Sequence, residues 1–173
     1  MLNNMENKKF ICGNKYTISG TNTIALSVDI SNLPARINVE NSDLVVKSAF
    51  HISLVCINEI IRKNKIMDTN FKDSVVADFC NFVQGNDVDL IKYTNEFRFL
   101  EQNDQKSIVV FCEVSNINKF FDILNEKYNL NLECPPMHVT IYLLEGKLGI
   151  FLTDKNDLND FTKIIPNPIG RNL

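Results

Sequence analysis

Apolar and polar residues alternate with a period of two in several short stretches of the chain, which predicts β-strands. The longest stretch is a β-branched run over residues 43–57, which we interpret as one extended strand. The shorter predicted strands are residues 15–20, 23–30, 97–101, 107–114, 135–144 and 148–153. The polar segment 102–106 predicts one hairpin turn, and residues 145–147 predict a second.

Other segments carry apolar residues at a spacing of three to four, which predicts helices. The first two predicted helices are residues 58–66 and a segment that begins at Asn70 and stops at Gly85. The third is capped by Ser115 or Asn116 and runs to Tyr128, and the fourth is residues 155–165, capped by Asp154. Each half of the chain therefore offers strands and a helix, and the predicted fold class is α+β.

The composition indicates one soluble domain over residues 1–173. The chain is 45% hydrophobic and 23% charged, with a net charge of −3, so it has enough apolar residues for a core. Its apolar stretches run to about eight residues, whereas a bilayer span needs roughly 20. The beginning of the sequence lacks a signal-peptide hydrophobic region, so we expect a cytoplasmic protein outside the membrane. The mild acidity argues against broad capture of long nucleic acid.

The cysteines are odd in number and form no C-x-x-C pair, so we expect them to be reduced and structural. They are Cys12, Cys56, Cys80, Cys112 and Cys134.

The chain has only two histidines, and each is followed two positions later by a hydroxyl residue inside an apolar run. The two motifs read FHISL and MHVTI. Because side chains alternate along a strand, His51 and Ser53 are predicted to share one face, as are His138 and Thr140. If the two strands meet, the space between them holds two imidazoles and two hydroxyls. That set of groups suits a phosphate.

Displacement at phosphorus explains why this set is useful. One neutral imidazole can accept a proton from the attacking oxygen, and a protonated one can give a proton to the leaving oxygen. The hydroxyls of Ser53 and Thr140 can donate hydrogen bonds to the non-bridging phosphoryl oxygens. We predict no metal or other cofactor, because a catalytic zinc normally takes three protein ligands and these strands offer no third.

These motifs, the spacing of 87 positions between them, and the strand–helix–motif order of the second half resemble the 2H phosphoesterase superfamily. The resemblance implies a bilobal α+β fold, with two antiparallel sheets forming a central groove and helices packed outside. Lobe one would centre on the 43–57 strand and lobe two on the 137–152 hairpin. It also implies a metal-independent activity on a cyclic phosphodiester or a 2′–5′ linkage, in a nucleotide or short RNA. His51 and His138 would be its acid and base, and Ser53 and Thr140 its phosphate donors.

Four further residues are candidates for substrate contact. Tyr142 shares the predicted face of His138, where it would stack on a base or bond a phosphate, or else place its hydroxyl at the sheet margin. Lys47 stands four positions before His51, on the same predicted strand face, as a phosphate ligand or as a solvated lysine. Arg98 is predicted to point away from its two flanking phenylalanines, towards the groove. Lys147 is the remaining candidate cation for the groove margin.

Two alternatives to a phosphoesterase remain open at the level of sequence. The same fold can bind a nucleotide or RNA end without turnover, although a binder has no need of two groups that titrate near neutrality. An interaction domain with two core histidines is the other alternative.

Overall fold

The computed structural model describes residues 8–173 and has the α+β class that the sequence predicts, with a large antiparallel sheet and four helices among those residues. In chain order the elements are β1 (Lys9–Ile11), β2 (Tyr16–Ile18), β3 (Thr23–Val28), β4 (Arg36–Val39), β5 (Ser42–Val46), β6 (Phe50–Cys56), α1 (Ile57–Asn64), α2 (Phe71–Phe82), β7 (Leu90–Gln102), β8 (Gln105–Val114), α3 (Ile117–Tyr128), β9 (His138–Leu143), α4 (Lys155–Phe161) and β10 (Thr162–Ile165). None of the helices in this part of the chain has the length and apolarity needed to cross a bilayer.

The chain divides into two compact units that interleave along the sequence. Among the described residues, the first consists of 8–27, Ser53–Asp89 and Ser115–Cys134. The second consists of Val28–Ile52, Leu90–Val114 and Pro135–Leu173. His51 and His138 both belong to the second unit.

The first unit packs aromatic side chains of its helices against its strands. In it, β2 pairs antiparallel with β1 and β3. The ring of Phe79 meets those of Tyr16 and Phe120 edge-on, with centroids 5.0 and 5.1 Å apart. Edge-to-face contacts of this kind add to the stabilisation from buried area alone. The helical periodicity that predicted α2 and α3 therefore marked the face of each helix that enters the core.

A disulfide in the first unit corrects the sequence-based expectation for two cysteines. Cys12 and Cys80 are bonded to each other, across a sequence separation of 68. Cys56, Cys112 and Cys134 are free thiols. The expectation of reduced cysteines is therefore wrong for Cys12 and Cys80, because folding brings α2 against the turn that follows β1.

The second unit is an antiparallel arrangement in which β10, β7, β8 and β9 are successive neighbours. The other side of β9 pairs with β5 and with the beginning of β6, and β4 pairs with β5. The hairpin predicted across residues 102–106 is confirmed by β7 and β8. Asp154 caps α4 as predicted, because its carboxylate accepts from the amides of Asn156 and Asp157.

Three predicted elements of the second unit are different in the structure. The single strand predicted over 43–57 is two strands, β5 and β6, because residues 47–49 leave the ladder. Residues 148–153 form no strand, and the helix predicted over 155–165 ends at Phe161. The rest of that segment is β10, which pairs with β7.

Candidate active site

The two histidine motifs flank the point at which β6 pairs with β9. Ile52 and Val139 are register partners in this antiparallel pairing, and both are fully buried. The residues on either side of them, including His51 and His138, are half-buried. Each motif therefore turns its middle residue into the core and its histidine and hydroxyl residue to the opposite face, as alternation predicts.

The register also sets how far apart the two histidines stand. In an antiparallel pair centred on Ile52 and Val139, His51 comes opposite Thr140 and lies diagonal to His138. Diagonal neighbours have Cα atoms about 7–8 Å apart, which long side chains can span. Both histidine residues are partly exposed.

A hydrogen bond fixes the ring of His138. Its Nδ1 lies 2.7 Å from the carbonyl oxygen of Pro136. A carbonyl only accepts, so Nδ1 carries the proton and Nε2 is the basic nitrogen of the neutral ring. Burial lowers the pKa of His138, the hydrogen bond to Pro136 opposes this, and the charge of Lys47 lowers the pKa further.

The other three motif residues are His51, Thr140 and Ser53, of which Ser53 belongs to the first unit. Nδ1 of His51 is buried. The hydroxyl of Thr140 makes no hydrogen bond within residues 8–173, so its donor is available to a ligand. Ser53 stands two positions after His51 on β6, so the alternation of the strand gives both side chains the same face.

Lys47 lies beside His138 for a reason that the sequence did not reveal. It follows β5 and is not part of the strand that carries His51, so the predicted shared strand face is wrong. Its amide donates to the carbonyl of Ile141, 3.0 Å away, which holds its backbone against β9. Its ammonium is close enough to His138 to lower the pKa of that imidazole. Lys47 is therefore a cation near His138.

Arg98 is held by protein groups and supports the site indirectly. Its Nε donates to Glu96 at 2.7 Å and its Nη1 to Thr162 at 2.9 Å. Its guanidinium stacks on the ring of Phe111, 5.3 Å from the centroid, and that ring lies 6.2 Å from the imidazole of His138. Arg98 thus contacts Phe111, the aromatic neighbour of His138. The sequence did not predict this sequence of contacts from Arg98 through Phe111 to His138.

Tyr142 and Lys147 are each held by another protein group. Ile141 is an extra residue in β9 between the partners of Ile108 and Val109, and this bulge reverses the alternation. Tyr142 is consequently fully buried, with its hydroxyl donating to Pro34 at 2.9 Å, so the expectation that it shares the face of His138 is not met. Lys147 follows β9 and forms an ion pair with Asp104.

A segment without regular structure lies against Thr140, and we call residues 147–153 the strap. Gly149 of the strap is so near Thr140 that a Cβ built on it would be 3.4 Å from Oγ1. Ile150 and Leu152 of the strap pack in an apolar cluster with Leu100 and Val109. The signal for this close approach was present in the sequence, since an isolated glycine in an apolar run often marks one.

Among residues 8–173, no group of three or more His, Cys, Asp or Glu side chains is placed to hold a metal ion. Comparison of the chain with protein-family models, with curated proteins and with solved structures finds no match.

Proposed function

We propose that the protein is a metal-independent phosphoesterase that hydrolyses a cyclic phosphodiester or a 2′–5′ linkage in a nucleotide or RNA end. The observation that carries the proposal is the pairing of Ile52 with Val139, because it brings both histidines to one face of the sheet. The bilobal, two-sheet arrangement of the 2H phosphoesterases is part of the same proposal.

His138 suits the role of general base. Its proton sits on Nδ1, towards Pro136, and its lowered pKa keeps Nε2 unprotonated near neutrality. In this scheme Nε2 of His138 takes a proton from water as the water oxygen bonds to phosphorus. The bond from phosphorus to the leaving oxygen breaks, and a protonated His51 gives that oxygen its proton.

The neighbouring groups suit the phosphoryl oxygens. The hydroxyl of Thr140 has no other partner within residues 8–173 and can donate to a non-bridging oxygen. Ser53, which shares a strand face with His51, is proposed for the same role. The ammonium of Lys47 compensates the negative charge of the phosphate once water is displaced, which reduces the cost of desolvation.

The second candidate is a binding module for a nucleotide or RNA end on the same fold. Arg98 stacks on Phe111 beside His138, and this observation favours the binding module. The stacked side chains make the site more rigid and take no part in proton transfer.

One assay separates the two candidates. The protein is incubated in EDTA with nucleoside 2′,3′-cyclic phosphates, cyclic dinucleotides and a 2′–5′-linked dinucleotide, and the products are resolved by chromatography. We expect chelator-resistant cleavage of at least one substrate. Binding without cleavage would replace the enzyme proposal with the binding module, and loss of activity in EDTA with recovery on added metal would remove the two-histidine mechanism.

A further inference from the structure

We propose that Gly149 is a positioning residue, which keeps the hydroxyl of Thr140 open to a phosphoryl oxygen of the substrate. The inference rests on the proposed function, because it takes Thr140 as a phosphate donor. It identifies the strap as the segment that limits the space beside the hydroxyl of Thr140.

The backbone of Gly149 does not itself require glycine. Gly146, three residues earlier, has a φ of +75°, a conformation that other residues rarely adopt. Gly149 has no such positive φ. The feature that distinguishes it is its neighbour, since a Cβ would lie 3.4 Å from Oγ1 and 3.7 Å from Cγ2 of Thr140. The missing side chain therefore leaves room beside the hydroxyl.

The strap has little freedom to withdraw from Thr140. Ile150 and Leu152, the next residues whose side chains point inwards, are each only 3% exposed. They pack with Leu100 and Val109, so moving the strap outwards would return this apolar surface to water. A side chain added at Gly149 would thus occupy the space beside the hydroxyl.

The distances show why even one methyl group matters. A hydroxyl donates to an oxygen at about 2.5–3.0 Å, so a phosphoryl oxygen bound to Thr140 needs space close to Oγ1. A Cβ at 3.4 Å from Oγ1 is tolerated by the folded chain but takes up part of that space. A branched side chain takes up more, so the effect should grow with size at this position.

The test compares Gly149→Ala and Gly149→Val with Gly85→Ala, a glycine that also lacks a positive φ and has nothing within 4 Å of its Cβ position. Adenosine 2′,3′-cyclic phosphate is the substrate, or whichever member of the assay panel is cleaved. We expect kcat/KM to fall about tenfold in Gly149→Ala and further in Gly149→Val, short of the 10²–10³-fold loss of a whole donor. Gly85→Ala should match the parent. Parent-like kcat/KM in Gly149→Ala would overturn the inference and leave the proposed function standing.

A second comparison separates crowding at Thr140 from general damage to the fold. Thr140→Ser keeps the hydroxyl and removes Cγ2, which makes room for the added methyl group. In that background the loss in kcat/KM caused by Gly149→Ala should shrink, because the effects of residues in contact are not additive. The unfolding midpoint of each variant shows whether the fold itself is damaged. An equal loss in kcat/KM in both backgrounds would overturn the inference.

If the parent protein cleaves nothing, the proposed function fails, and the inference is then tested by calorimetric binding of adenosine 2′-monophosphate. Weaker binding in Gly149→Ala than in Gly85→Ala would support the inference. Equal binding would overturn it.

Discussion

The imidazole of His138 donates from Nδ1 to the carbonyl oxygen of Pro136, 2.7 Å away, two residues before it in the chain. This contact sets the tautomer, and it turns the basic nitrogen away from the backbone that holds the ring. The chain segment that precedes β9 therefore fixes the ring of its first residue in the orientation that the proposed proton transfer needs.

The first prediction concerns the protonation of His138. Because the ammonium of Lys47 lowers the pKa of His138, Lys47→Met should raise that pKa towards its ordinary value of 6.5. The measurement is an NMR titration of the imidazole, with Lys147→Met as the matched control because Lys147 pairs with Asp104. A pKa of His138 that moves equally in both variants would rule out a local effect of Lys47.

The second prediction concerns stability against pH. The folded pKa of His138 lies below 6.5, so just below that pH the unfolded chain binds more protons than the folded one. Stability should therefore be greatest above 6.5 and should fall as the pH decreases through the window beneath it. Urea unfolding across this window should show a steeper decline in the parent than in His138→Asn, whose amide keeps a donor for Pro136 but does not titrate. Identical slopes would contradict the lowered pKa.

The third prediction concerns the two histidines as a catalytic pair. Replacing His51 or His138 with Ala removes a proton-transfer group, so each change should lower kcat by about 10²–10⁴-fold. The double variant should be little worse than the more damaging single one, because the two groups act as a unit. Steady-state kinetics and circular dichroism of the variants provide the check. A folded single variant with near-normal turnover would exclude this mechanism.

The fourth prediction concerns Tyr142. Its hydroxyl donates to Pro34 from a fully buried ring, so Tyr142→Phe should cost about 0.5–1.5 kcal/mol of stability by removing this hydrogen bond. Turnover should stay within a few-fold of the parent, since the ring has no exposed surface for a substrate. Urea unfolding and kinetics measure the two effects. A large loss of kcat with unchanged stability would indicate that Tyr142 contacts the substrate after all.

The fifth prediction concerns the disulfide of the first unit. Reduction of Cys12–Cys80 should lower the free energy of unfolding by about 2–4 kcal/mol, because it releases a long loop in the unfolded chain. The measurement is urea unfolding with and without dithiothreitol. The double variant Cys12→Ser, Cys80→Ser is the control, and its midpoint should not respond to the reductant. An unchanged midpoint in the parent would show that the bond does not contribute to stability.

The sequence by itself determined the features that depend on local geometry. The one-residue gap in each motif placed the histidine and hydroxyl residue on one strand face, because side chains alternate along any strand. Helical spacing located α2 and α3, and an aspartate before a polar turn of helix located the start of α4. Each of these signals acts between residues a few positions apart, so it is visible in the chain itself.

Only the tertiary structure decided the features that depend on residues far apart in the chain. The bulge at Ile141 buries Tyr142, the amide of Lys47 joins β9 through Ile141, and the strap crosses Thr140 at Gly149. Each of these contacts joins β9 to another segment of the chain. The periodic pattern of apolar residues within one segment does not predict such a contact. The disulfide has the same origin, since Cys12 and Cys80 are 68 positions apart in the chain and are brought together by tertiary packing. Long-range packing therefore selected which of the candidate residues stand beside the histidines.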